Sequence, residues 1–249
     1  MGRSIKTRSP RVEALDVEGL PAPVEVRRMA TARRMTLRVS RTKHAVIMTV
    51  PVHCTLADAG NFLHTHLDWV RKNLGAVPKP VELTDGELIP FRGKPHRIVF
   101  TGERGADHLV KVDTRSTPGL AQLVVSGTRE GAPRRLANWL QQEATRDLDE
   151  RVRFHAARLH VRPKRIVLRD QSSRWGSCST TRVLSFSWRL ILAPPKVLDY
   201  VAAHEVAHLA QMNHGPKFWA LVAKTMPHMN EARAWLRLYG MDLHRYRRP

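Results

Sequence analysis

Residues 195–216, PKVLDYVAAHEVAHLAQMNHGP, decide how the rest of the chain is read. Val197, Leu198, Val201, Ala202, Val206 and Leu209 recur at helical spacing, and Pro194 and Pro195 stand where a helix start tolerates proline, so the spacing predicts a helix over 195–212. On that helix His204 and His208, four residues apart, lie on one face. Both imidazoles can then reach one metal ion at roughly 2.0–2.1 Å. Glu205 follows the first of them, where a carboxylate can stand beside a metal-activated water without being a ligand.

A catalytic metal site takes three protein ligands, one fewer than most structural zinc sites, so a third is needed. His214 cannot share the helix face, because six residues at about 100° each carry it roughly 240° around the axis. The chain must turn first. Asn213 and Gly215 both tolerate left-handed backbone, and Pro216 is placed to open the next helix, PKFWALVAKTM. His214 is therefore the expected third ligand. Glu231 in MNEARAW is the competitor, although after Asn230 as an N-cap it also reads as a first-turn acid favoured by the helix dipole. The expected cofactor is one Zn2+ per chain, held by His204, His208 and His214, with Glu205 as acid/base.

Immediately upstream, residues 171–195 read QSSRWGSCSTTRVLSFSWRLILAPP. The period-2, aromatic-rich VLSFSWR predicts a strand beside the metal helix, entered through a turn at SSRWGSCST. An extended peptide is expected to pair with the strand around 182–188. Trp175 and Trp188 are candidates for lining such a cleft or for filling the core between helix and sheet. Arg174 is a candidate for stabilising an oxyanion or holding a substrate carboxylate, with an ion pair to Asp170 or Asp199 as the alternative. Tyr200, one turn before His204, either hydrogen-bonds near the metal or packs. Cys178 reads as a buried free thiol, with no base-and-orienter pair to make it a nucleophile. Met226 and Met229 read as core.

Arg174 through Ser179, Phe186 through Leu190, Pro194-Pro195, Leu198 through Val201, the His204 to His208 run, and Asn213-His214 with Phe218-Trp219 together resemble the YgjP-like metallopeptidases, relatives of the SprT-like proteases. The resemblance is continuous over about residues 165–239 and looser before that. It implies a zincin-like metal site with His204, His208 and His214 as ligands and Glu205 as the catalytic residue, acting on peptides or proteins. SprT-like relatives act on DNA-bound proteins, which offers a second reading. A zinc-binding module without peptidase activity is a third.

The remaining sequence sets an α+β frame. Residues 1–20 read as a tail; VEVRR, RMTLRVS and AVIMTVP read as an antiparallel meander with RTKHA as its second turn; and one helix runs from Thr55 as N-cap to Gly75. After a proline-containing linker at 76–86, ELIPFRG, HRIVF, LVKVD and AQLVVSG read as further short strands. A long helix follows over Arg134–His160, then a strand in RPKRIVLRD. The expected division is a tail (1–20), a β-rich N-terminal region with one helix (21–130) and a zincin-like C-terminal metallopeptidase domain (131–249).

Lys and Arg number 42 against 22 acids, for a net charge of +20. That balance, with clusters at Arg27-Arg28, Arg33-Arg34, 162–165 and 244–248, makes a nucleic-acid partner an expectation to weigh beside a solvated basic surface. No apolar run of 18 residues and no secretory apolar core occur, so a membrane is not expected as a partner. The two cysteines, Cys54 and Cys178, form no pattern and suit a reducing cytoplasm. The sequence leaves the oligomeric state open.

Overall fold

The computed structural model describes residues 12–15, 17–40, 45–75, 77, 79–103, 109–116, 118–171 and 174–249. It is an α+β protein of two compact units, residues 1–79 and 80–249.

In the first unit, β1 (Val12–Leu15), β2 (Val24–Arg28), β3 (Thr36–Ser40) and β4 (Ala45–Val50) form a sheet in the order β1-β2-β4-β3. Two expectations change here. Val12–Leu15, inside the expected tail, is a strand antiparallel to β2, whereas residues 1–11 and 16 of that tail lie outside the described residues. The expected meander is replaced by a parallel pairing of β2 with β4, β3 lying antiparallel on the far side of β4. The reason is burial. AVIMTV is apolar along almost its whole length and takes an interior position, while TLRVS is half exposed and suits an edge. Residues 41–44 of the expected turn lie outside the described residues.

Thr55 caps α1 (Leu56–Thr65) with a full capping box to Asp58. The single helix expected to Gly75 is interrupted at His66. Its N–H bonds back to Leu63, its Nδ1 lies 2.8 Å from the Phe62 carbonyl, and α2 (Leu67–Gly75) starts anew.

The second unit opens with β5 (Leu88–Phe91), β6 (Lys94–Phe100), β7 (Val110–Asp113) and β8 (Ala121–Val125), ordered β5-β6-β8-β7. The first sheet's pattern recurs, with a parallel pair at the centre flanked by antiparallel edge strands. Then comes α3 (Ala132–Arg158), two residues earlier at each end than expected, stopped where His160 adopts a φ of 53°. Ile89, Phe91, Ile98, Leu123 and Val125 of the sheet share one apolar cluster with Leu136, Leu140, Ala144 and Leu148 of α3. That shared core is why the units divide at Lys79/Pro80 and not near residue 130.

A small sheet follows, from β9 (Arg165–Arg169), β10 (Gly176–Cys178) and β11 (Val183–Ser187), ordered β10-β11-β9. β11 is the strand expected from VLSFSWR. It is hydrogen-bonded on both sides, parallel to β9 and antiparallel to β10, so no free edge exists along 182–188 and the edge nearest the following helix belongs to β10.

A 3-10 turn (Trp188–Leu192) delivers α4 (Pro195–Ala207). The hairpin between β5 and β6 fixes this entry. Arg92 and Gly93 turn at positive φ, and their N–H groups bond Ile191 and Leu192 carbonyls at 2.8 and 3.1 Å. The Arg92 guanidinium bridges Glu143 and Asp147 of α3. A Cβ on Gly93 would stand 2.8–2.9 Å from Pro194, so only glycine permits this approach. Helix α4 is buried nearly all round, packed on α3, with Ala202, Ala203 and Ala207 allowing close contact. Helices α5 (Pro216–Thr225) and α6 (Met229–Tyr239) complete the unit. Among the described residues, no helix is long and apolar enough to cross a membrane.

Candidate metal centre

Helix α4 ends sooner than its apolar periodicity predicts. After Ala207 the chain tightens into i→i−3 turns, Leu209 bonding to Val206 and Ala210 to Ala207, with His208 as the C-cap. The reversal uses no left-handed residue. Gly215 is extended, at φ −80° and ψ −176°, and donates to the Asn213 carbonyl at 2.8 Å. Pro216 then opens α5 as expected. This path returns His214 to the two helical histidines.

The ligating atoms of His204, His208 and His214 all lie within 4.8 Å of one another. Nε2 of His204 and Nε2 of His214 are 3.0 Å apart, and the three rings stand 4.6–5.0 Å centroid to centroid. The outer nitrogens of two of them have partners. His208 Nδ1 is 3.2 Å from the Gln211 carbonyl, and His204 Nδ1 is 3.5 Å from the Tyr200 hydroxyl. With those nitrogens carrying the protons, the inward lone pairs are left to a metal. Burial, followed by the charges of His208 and His214, pushes His204 down to about 3, so it is a neutral donor at ordinary pH. Phe218, fully buried, contacts all three rings at 4.5–4.9 Å and forms the floor of the group.

Glu205 is 5% exposed, and its Oε2 is buried without a hydrogen-bond partner. Burial raises its carboxyl to about 8, with Arg174 acting in the opposite direction. An orphaned buried carboxylate next in sequence to a histidine cluster fits a site completed by a dication, whose charge would return that group to its ionised form. Three imidazoles are also a donor set suited to zinc. Gly176 of β10 lies directly against Glu205: a Cβ there would meet Cγ and Oε1 at 2.6 Å. The glycine of RWGSCS is thus required by the approach of strand to carboxylate.

A cleft of about 260 Å³ opens beside the group, lined by Arg174, Trp175, Tyr200, His204, Glu205 and Leu236 among others. Five expected site residues therefore meet the cleft: Arg174, Trp175, Tyr200, His204 and Glu205. Trp188 does not. At 1% exposed it belongs to the core, where the chain turns from β11 into the 3-10 segment. Neither ion pair considered for Arg174 forms: Asp170 pairs with Arg189, and Asp199 with Arg151 and His155. Glu231 stands apart from the histidines, exposed and 2.7 Å from Lys196 Nζ. Cys178 is half-buried, its thiol pushed up by burial and then by the Glu205 charge. Met226 is buried in the core, and Met229 packs against it.

Two residues of this neighbourhood had no assigned part in the sequence reading. Phe218 was legible in principle, four residues after His214 at the start of a helix. Arg233 of α6, whose guanidinium stacks on Trp219 at 4.5 Å, carries no sequence signal because it arrives from a different helix.

The YgjP-like family, defined by a YgjP-like metallopeptidase domain, matches residues 33–239. No curated protein matches the chain. Among solved structures, the metallopeptidase zymogen of Pyrococcus abyssi abylysin aligns at 19% identity and a TM-score of 0.34, over 36% of this chain and 94% of that one. With the match spanning most of the sequence and both units, the chain belongs to the YgjP-like metallopeptidase family.

Proposed function

We propose that the protein is a zinc-dependent endopeptidase in which His204, His208 and His214 hold one zinc ion and Glu205 is the general base and acid. The observation that carries this reading is the convergence of three imidazoles beside a buried carboxylate that lacks a partner. When bound, zinc supplies Lewis-acid polarisation of the scissile carbonyl and acidifies water. Glu205 takes the proton of the attacking water and later gives it to the leaving amine, a role its low exposure protects from bulk solvent. Phe218 beneath the imidazoles and the Gln211 carbonyl behind His208 keep the rings in their orientation.

The substrate backbone is assigned to the outer edge of β10. Ser187 N–H bonds to the Trp175 carbonyl and Ser179 N–H to the Val183 carbonyl, so residues 175, 177 and 179 direct their backbone groups at β11. By the alternation of an antiparallel ladder, the N–H and C=O of Gly176 and Cys178 face the other way. An extended peptide adding there lies against the strand that touches Glu205.

Glu205→Gln tests the reading. The variant is expected to keep its zinc and its fold while peptide hydrolysis falls by at least ~100-fold, the lower end of a general-base contribution. Unchanged turnover of a peptide cleaved by the parent protein would remove Glu205 from the mechanism.

A further inference from the structure

The cleft beside the histidines has an unequal lining. Trp175, Tyr200, Val201 and Leu236 make it largely apolar, and its charged groups are Glu205, at its inner wall, and Arg174. Arg174 is exposed and, among the described residues, has no salt-bridge partner; the two acids considered for it, Asp170 and Asp199, are taken by other cations. From the side of α6, Arg233 arrives one turn before Leu236. Its guanidinium is laid over Trp219, whose ring is 5.8 Å from both His204 and His214. The charge of Arg233 also reaches Tyr200 and His204. Glu231, the acid on the same helix, is engaged by Lys196.

One guanidinium, Arg174, thus lines this small apolar cleft just before β10, and a second, Arg233, lies over Trp219 on α6, the helix that supplies Leu236 to the cleft. Stacking on Trp219 holds Arg233 in place, which lowers the entropy lost when it binds an anion. A planar fork of N–H donors is matched to a carboxylate, and an apolar floor strengthens such a contact by keeping water away.

We propose that Arg174, in this cleft, and Arg233, at its α6 side, are specificity residues that bind a carboxylate of the peptide substrate beside the scissile bond. The proposal deepens the peptidase reading and rests on it for the identity of the ligand. The carboxylate comes from an Asp or Glu side chain or from the chain terminus. Both sources present the same group to the same guanidiniums, and they are separable by experiment.

The test measures binding, so that it stands apart from turnover. Fluorescein-labelled peptides that differ only by Glu or Gln at a single position, each with a free or amidated C-terminus, are titrated by anisotropy against zinc-loaded full-length Glu205→Gln protein. The carboxylate-bearing member of a pair is expected to bind roughly 10- to 100-fold more tightly, the range for a hydrogen bond to a charged group. Arg174→Gln and Arg233→Gln in the same background are expected each to erase most of that ratio, and the Arg→Lys variants to keep part of it. A control, Arg115→Gln in the turn after β7, is expected to leave the ratio unchanged. A Glu-over-Gln preference independent of the terminus identifies a side-chain carboxylate, and a preference for the free terminus identifies the chain end. Equal binding within every pair, no binding by any peptide, or an equal loss in the Arg115→Gln control overturns the proposal. Hydrolysis of the same peptides by protein with Glu205 intact reports separately on the peptidase reading: cleavage without a carboxylate preference refutes the specificity alone.

Discussion

Gly176→Ala isolates the fit between β10 and the carboxylate of Glu205. The added methyl would stand 2.6 Å from Glu205 Cγ and Oε1 and 2.8 Å from Cδ, whereas ordinary contact begins at 3.4 Å. Either the carboxylate or the strand must therefore yield by about 0.8 Å, the difference between 3.4 and 2.6 Å. The carboxylate has little room, being 5% exposed, and β10 is tied through its ladder to β11. Overpacking of this kind costs about 1–3 kcal/mol, a fraction of a domain stability of roughly 5–15 kcal/mol, so the variant is expected to fold. A displacement near 1 Å at a reacting group is enough for a loss on the order of 100-fold in rate. The expected outcome is a kcat/KM on a fluorogenic peptide lower by roughly 100-fold, with zinc content unchanged, because the methyl approaches Glu205 and not the imidazoles. Activity within threefold of the parent would refute the packing argument, and so would loss of zinc from a folded variant.

Gly93→Ala places a Cβ 2.8–2.9 Å from the backbone and ring of Pro194, at a φ of 75°. Combining about 1–2 kcal/mol for the left-handed backbone with about 1–3 kcal/mol for the clash, the melting temperature by calorimetry is expected to fall by roughly 5–15 °C. An unchanged melting temperature would mean that the hairpin does not brace the start of α4. For Asp199, burial on its own would raise the carboxyl, but hydrogen bonds from His155 and Arg151 outweigh it and hold the group below its ordinary value. A depressed acid stabilises the fold above its unfolded pKa, near pH 4, and loses that contribution as pH falls through the folded value. Asp199→Asn is therefore expected to be less stable at pH 7 and to show a shallower further loss below about pH 4, followed by circular dichroism; parallel curves would exclude this link between α3 and α4.

Local features of the chain were the legible ones. The cap at Thr55, the long α3, the strand at 183–187 and the start of α4 at Pro195 all rest on periodicity and terminal residues that act within a few positions. Long-range pairing was not. Nothing local in AVIMTV says that it pairs parallel to VEVRR, since that choice is made by which strand is buried on both faces. The recurrence of the same four-strand order in both units is likewise hidden, because it is carried by strand direction and not by shared side chains. At the site, the histidine spacing announced that His204 and His208 stand together, and the need for a turn announced that His214 reaches them from beyond it. The turn is built from extended and i→i−3 backbone in place of the left-handed residues that Asn213 and Gly215 suggested. Trp188 shows the limit of reading an aromatic strand end: alternation continued past Ser187, but the backbone did not, and the ring entered the core.

The central claim is that three histidines hold a zinc ion. Zinc absorption fine structure, taken with elemental analysis of the purified full-length protein, measures that directly. The account predicts one zinc per chain with a nitrogen and oxygen shell at roughly 2.0–2.1 Å, lost in His214→Ala and retained in Glu231→Ala. A sulfur shell near roughly 2.3 Å, or zinc that survives His214→Ala and disappears in Glu231→Ala, would contradict it.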